Sequence, residues 1–203
     1  MASKARPRLP RLLLIYCEGK TEKAYFDALL DIYRPPRYVD VCVFGQEGQH
    51  KALIDRVAAR RSEACLEEGL LEREVECWAV CDNDNMPLSF AELESYAEGR
   101  GVHMAFSDPQ FEVYLLQHFE QSGESNMGKV FAALSKYRNQ NGGEGDYSKE
   151  TKSDLAWMAH AMDMRPKIVK IAITNSDLRN RPLHKPFLTV QNLTRRIVEM
   201  GLK

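Results

Sequence analysis

The 203 residues are enough for one domain with a packed core, and 44% hydrophobic with 28% charged residues is ordinary for a globular protein. No apolar run approaches the roughly 20 residues that span a bilayer, and no apolar signal segment opens the chain, so we expect a cytoplasmic protein without a membrane partner. The five cysteines form no C-x-x-C pair, which argues against a disulfide framework or a zinc site.

The formal net charge of −1 is unevenly distributed along the chain. Residues 165–203 contain nine Lys and Arg and only two acidic residues, which gives this part a net charge of +7. Residues 1–164 therefore have a net charge of −8. An acidic body with basic ends suits a protein that holds metal centrally and contacts a polyanion at its margins. Solvated surface charge is the alternative interpretation of each basic residue.

Strand-like apolar runs alternate with segments of helical periodicity over the first 120 residues. The patterns predict strands at 11–17, 38–44, 75–81 and 102–106, with helices after each, the last beginning at Asp108-Pro109 with Asp108 as N-cap. After residue 120 the strand signal fades, and helices are predicted near 126–137, 154–164, 167–175 and 189–200. The β-α alternation predicts a mostly parallel sheet flanked by helices.

We therefore expect an α/β fold with a helical C-terminal part. The predicted organisation is a flexible basic N-terminus over residues 1–10, an α/β core over 11–120, and a helical extension over 121–203 that packs on the core.

Two predicted strands end in carboxylates. Glu18 follows the first strand and Asp82 follows the third, and right-handed crossovers would place both at one edge of the sheet. Asp84 lies two residues after Asp82 in an extended segment, so both side chains point the same way. Converging carboxylates need a cation, and oxygen ligands without His or Cys favour Mg²⁺ or Mn²⁺. The alternative is that Asp-x-Asp is only a turn.

Glu112 is a further conspicuous carboxylate. It precedes Leu115, Leu116 and Phe119 by three, four and seven residues, which places it on the buried face of its own helix. A buried carboxylate needs a metal ion, a basic side chain or backbone donors, so a metal ligand and a structural partner both remain open.

The segment Gly19-Lys20-Thr21 is not part of a phosphate-binding loop. That motif needs a glycine five residues before Gly19, where this chain has Leu14 inside a strand. Gly19 instead allows a tight strand-to-helix turn, and Lys20 is expected to face a substrate phosphate.

The segment Cys17-Glu-Gly-Lys-Thr-Glu22 after an apolar strand, together with Asp82-Asn-Asp84, resembles the Toprim fold of topoisomerases, bacterial primases and OLD-group nucleases. More closely, the chain is similar to the RloB family of bacterial phage-defence and restriction-linked proteins. Further matches are 107–112, 115–119, Tyr147-Ser-Lys149 and the segment from Pro186 to Val190. Asp108 stands where the family has Asn.

The resemblance implies a Toprim-type site and hence a metal-dependent nuclease that acts in antiviral defence or abortive infection. Glu18 would be the acid/base or metal-bridging carboxylate, Asp82 and Asp84 the metal ligands, and Glu112 a second-site ligand or its support. With Mg²⁺ or Mn²⁺ bound, the site would hydrolyse phosphodiester bonds, and Lys20 would steady the scissile phosphate.

Basic residues near the site and in the C-terminal part are the candidates for contacting RNA or DNA, which the sequence does not distinguish. They are Lys149, Lys152, Arg179, Arg181, His184, Lys185, Arg195 and Arg196.

Two other functions remain open. One is a non-catalytic or regulatory subunit that binds an ATPase partner encoded nearby, since the chain has no ATPase motif of its own. The other is a small-molecule phosphotransferase that uses the same carboxylates. A homodimer through an exposed hydrophobic helix of the C-terminal part is also open.

Overall fold

A computed structural model describes residues 9–83, 86–182 and 184–201. Residues 1–8 of the predicted N-terminal segment and the predicted ligand Asp84 lie outside the described residues. The strands are β1 (Leu12–Cys17), β2 (Asp40–Gly45), β3 (Val75–Asp82), β4 (His103–Asp108) and β5 (Phe187–Leu188). The helices are α1 (Lys20–Ile32), α2 (His50–Glu67), α3 (Phe90–Glu98), α4 (Glu112–Leu116), α5 (Met127–Gln140), α6 (Ala156–Met164), α7 (Lys167–Asp177) and α8 (Val190–Gly201).

The five strands form one sheet in the order β2-β1-β3-β4-β5, in which the first four are parallel. The predicted α/β fold, with a mostly parallel sheet, flanking helices and a helical C-terminal part, is confirmed. β1 lies between β2 and β3, and Cys17 is level with both Gly45 and Val80. The first and third strands are thus neighbours and end at the same edge, as the crossover argument required.

Helices cover both faces of the sheet, which explains why β1 is a continuous apolar run with all six residues buried. Leu13, Ile15 and Cys17 point to the face covered by α1 and the helices from α4 onward. Leu12, Leu14 and Tyr16 point to the opposite face, where α2 and α3 pack. The alternation follows from the two-residue period of a strand. Within the described residues, no helix combines the length and apolarity needed to cross a bilayer.

The prediction that Asp108 caps a helix was wrong. β4 continues through Asp108 because β5 pairs with its end, antiparallel, with Ser107 level with Leu188 and Asp108 with Phe187. The helix that follows begins at Glu112 instead. The strand β5 itself was not predicted, because two residues are too few for a period-2 pattern.

Candidate metal and phosphate site

The carboxyl edge of the sheet opens on a cleft of about 450 Å³. β1 and β3 deliver Glu18 and Asp82 to it, and the Glu18 backbone N–H bonds the Val80 carbonyl at 3.0 Å, which fixes the two chain ends side by side. The cleft is lined by Glu18, Gly19, Lys20, Thr21, Glu22, Gln46, Gln49, Asp82, Gln110, Lys149, Lys152 and Ser153.

Glu22 is a site residue that the sequence reasoning missed. It lies in the first turn of α1, where its side chain is buried and lines the cleft. It precedes Tyr25, Phe26 and Leu29 by three, four and seven residues, the same spacing that drew attention to Glu112. A carboxylate on the apolar face of α1 was therefore visible in the periodicity.

Gly19 leaves the space that the Glu22 carboxylate occupies. A Cβ at position 19 would lie 2.5 Å from Glu22 Oε2, inside any normal contact distance. The glycine of the Glu18-Gly19 turn is thus explained by a close approach, because its backbone has an ordinary extended conformation at φ −122°.

Burial and neighbouring carboxylates oppose the ionisation of Glu22 and Asp82. Burial, with the charges of Glu112 and Glu18, raises the pKa of Glu22 to about 7, against its own backbone hydrogen bond and the charge of Lys152. Burial, Glu22, Glu112 and Glu18 raise the pKa of Asp82 well above its ordinary value, while a hydrogen bond from the Phe111 backbone acts in the opposite direction. The edge of the sheet therefore concentrates negative charge in a poorly hydrated place.

Glu112 lies in the first turn of α4, on the buried face as predicted, with a fully buried side chain. Lys152 Nζ is 3.4 Å from its Oε1. A basic partner for Glu112 was one of the two predicted alternatives, and the charge of Glu112 on Glu22 and Asp82 also places it beside the other carboxylates.

The donor set fits a hard divalent cation such as Mg²⁺ or Mn²⁺. Glu22 Oε2 and Asp82 Oδ1 are buried and accept no hydrogen bond from residues 9–83, 86–182 or 184–201. Carboxylate oxygens without His or Cys are the ligands that these ions prefer. Among the described residues, no three His, Cys, Asp or Glu side chains are arranged to hold a metal ion as they stand.

The predicted nucleic-acid-binding residues fall into separate groups. Lys149 and Lys152 line the cleft with Lys20. Lys185 lies at the same edge of the sheet, with Nζ 3.0 Å from Asp108 Oδ1 at the end of β4. Arg181 and His184 are exposed in the segment that leads to β5, and Arg179, at the C-terminal end of α7, is half-buried.

The two arginines of α8 are occupied by acidic partners. Arg195 binds both oxygens of Asp177 at 2.7 Å. Arg196 binds Glu76, near the start of β3 and so at the opposite end of that strand from Asp82, with contacts of 2.7–3.0 Å. The structure thus does not bring Arg196 together with the carboxylates.

The fold and the site define a mostly parallel α/β protein with an acidic, lysine-edged cleft at the carboxyl ends of its strands. The family model described as RloB-like protein matches residues 13–197, and the chain belongs to this family. No curated protein and no solved structure matches the chain.

Proposed function

We propose that this RloB-like protein is a metal-dependent nuclease that hydrolyses phosphodiester bonds of RNA or DNA in antiviral defence, in the cytoplasm. The observation that carries the proposal is that Glu18, Glu22 and Asp82 line one cleft that is edged by lysines, while the charge of the buried Glu112 acts on Glu22 and Asp82. Carboxylates whose pKa is raised by burial and by neighbouring acidic groups, as for Glu22 and Asp82, are costly to maintain and occur preferentially at functional sites. A Toprim-like relationship is part of this proposal.

Each group of side chains has a distinct task in the proposed reaction. Glu18, Glu22, Asp82 and Glu112, together with Asp84, would hold Mg²⁺ or Mn²⁺, which supplies charge neutralisation and an activated water when bound. Lys20 and Lys149 extend into the cleft, where they can bind the phosphate oxygens of a nucleic acid. Without metal, burial and the charges of Glu112 and Glu18 raise the pKa of Glu22 to about 7, and a bound cation would favour its ionised form.

The surface around the cleft suits a substrate longer than one phosphate. Arg181 and His184 are exposed in the segment that leads to β5, and Lys185 lies beside Asp108 at the end of β4. A nucleic-acid backbone that contacts these residues as well as Lys20 would bind with salt-dependent affinity. A small phosphorylated metabolite would need no such contacts.

The test is incubation of the purified protein with tRNA, mRNA and plasmid DNA in the presence of Mg²⁺, Mn²⁺ or EDTA. We expect cleavage that requires the metal and is lost in Glu18→Gln and Asp82→Asn. Glu63→Gln, an exposed position on α2, is the matched control and keeps full activity. Metal-independent cleavage, or full antiviral activity of both site variants, would contradict the proposal.

A second function, a regulatory subunit bound to an ATPase partner or to a second copy, is favoured by one specific observation. Met164 at the end of α6, Ile171 on α7 and Leu178 directly after α7 are 66%, 40% and 47% exposed. Large apolar side chains exposed in this part of the chain suit a protein contact. If Ile171→Lys abolishes defence but leaves metal-dependent cleavage intact, the partner contact is needed in addition to catalysis.

A further inference from the structure

The ammonium group of Lys152 lies among the carboxylates of the cleft. Its Nζ is 3.4 Å from Glu112 Oε1, and the Glu112 side chain is only 1% exposed. Burial alone would lower the pKa of Lys152, but Glu112, Glu22 and Asp82 outweigh it and raise the pKa. The positive charge of Lys152 thus interacts with three acidic side chains, which are Glu22 of α1, Asp82 of β3 and Glu112 of α4.

Contacts on both sides hold Lys152 in this position. The hydroxyl of the buried Tyr147 donates to the Lys152 carbonyl at 3.2 Å. Arg138, from α5, donates to the Thr151 carbonyl at 3.4 Å and pairs with Asp154 at 2.8 Å. We call residues 147–154 the lysine strap, because they fasten one ammonium group over the carboxylates.

A divalent ion and this ammonium group compete for the same negative charge. Two cations a few ångströms apart in a partly buried cleft repel each other by an amount comparable to a strong ion pair. A metal ion held by Glu22, Asp82 and Glu112 would meet the Lys152 charge on the same oxygens. The ion can bind tightly only if Lys152 withdraws.

We propose that Lys152 is the resident counter-ion of the carboxylate cluster and that divalent metal displaces it, so that the lysine strap regulates metal loading. The inference rests on the proposed function, since it assumes that the cluster is a metal site. Displacement frees the ammonium group to face a phosphate in the cleft, which couples metal binding to substrate binding. Before metal binds, the ammonium group offsets part of the negative charge of these carboxylates.

The test is calorimetric titration of the full-length protein with Mg²⁺ and Mn²⁺, comparing wild type, Lys152→Met and Lys149→Met. Lys152→Met keeps the length of the side chain and removes its charge, and we expect about tenfold tighter metal binding. Lys149→Met makes the same charge change at an exposed position of the same cleft, and we expect less than about a twofold effect. Equal effects at both positions, or weaker binding by Lys152→Met, would overturn the proposal.

Hydrogen exchange supplies a readout that does not depend on a variant folding. In the wild-type protein, amides of the lysine strap should exchange several-fold faster after Mg²⁺ is added, because the Lys152–Glu112 pair is broken. Unchanged or slower exchange in the strap at saturating Mg²⁺ would overturn the proposal. If metal competes with Lys152 but no nucleic acid is cleaved, the strap mechanism stands and the proposed nuclease function fails.

Discussion

Glu22→Gln should stabilise the metal-free protein. The carboxylate is buried beside Glu112 and Glu18, and its pKa is about 7, against 4.5 for an unperturbed glutamate. Between these two pH values the folded chain retains a proton that the unfolded chain has released. Stability therefore falls as the pH rises from 4.5 through 7, and the loss persists at higher pH.

The magnitude follows from the two pKa values. A difference between 4.5 and about 7 corresponds to about 3 kcal/mol of lost stability above pH 8, because each pH unit is worth about 1.4 kcal/mol. A glutamine occupies the same space without the charge and should recover most of this. For a chain of this size the gain raises the melting temperature by about 6–12 °C.

Thermal and urea unfolding in EDTA at pH 8 and pH 5 is the assay. We expect Glu22→Gln to be about 3 kcal/mol more stable than wild type at pH 8 and less than about 1 kcal/mol more stable at pH 5. Glu63→Gln, on the exposed face of α2, should change stability by less than about 0.5 kcal/mol at both. A destabilised Glu22→Gln, or a gain that is independent of pH, would refute the reasoning.

Three further predictions concern other parts of the account. His118, fully buried, has a pKa lowered to about 4 by burial, so acidification from pH 6.5 to 4 should cost about 3 kcal/mol, and urea titrations of His118→Gln should lack this part of the pH dependence. Gly19→Ala should displace the Glu22 carboxylate and weaken Mg²⁺ binding severalfold in calorimetry while the chain stays folded; unchanged affinity would contradict the role of Gly19. Arg196→Met should lower stability by about 1–3 kcal/mol, because Glu76 loses its guanidinium partner and keeps the hydrogen bond from the Trp78 indole N–H, with RNA and DNA affinity unchanged in filter binding.

The position of Glu18 and Asp82 could be predicted because parallel strands with apolar runs leave few topologies. β1 is a short apolar run followed directly by Glu18, and β3 is apolar apart from Glu76 and ends at Asp82. Right-handed crossovers restrict how these two strands can be ordered. The sheet order with β1 beside β3 bears this out. The sequence of each strand, combined with the general preference for right-handed crossovers, was therefore enough to predict that the two carboxylates share one edge of the sheet.

The role of Glu22 could not be predicted from the local sequence pattern. Its helical spacing to Tyr25, Phe26 and Leu29 equals that of Glu112, but a glutamate in the first turn of a helix also has an ordinary explanation in the helix dipole. Its importance depends on Asp82 and Glu112 lying against the same surface, and only the tertiary structure brings these residues together.

Long-range pairing explains the other differences. β5 has two residues and exists because β4 offers a free edge, and that pairing carries β4 to Asp108 and defeats the local N-cap signal. Lys152 was predicted to contact phosphate, and its ion pair with Glu112 joins residues 40 positions apart in sequence. The β4–β5 pairing and the Lys152–Glu112 ion pair produce no periodic pattern of residues, so they cannot be predicted from a single sequence.

The most direct test of the central claim is an anomalous difference map from crystals of the full-length protein soaked in Mn²⁺. The account predicts a peak at ligand distance from carboxylate oxygens of at least two of Glu18, Glu22, Asp82 and Glu112, with Lys152 moved away from Glu112. No peak in this cleft at saturating Mn²⁺, with Lys152 still paired to Glu112, would contradict it.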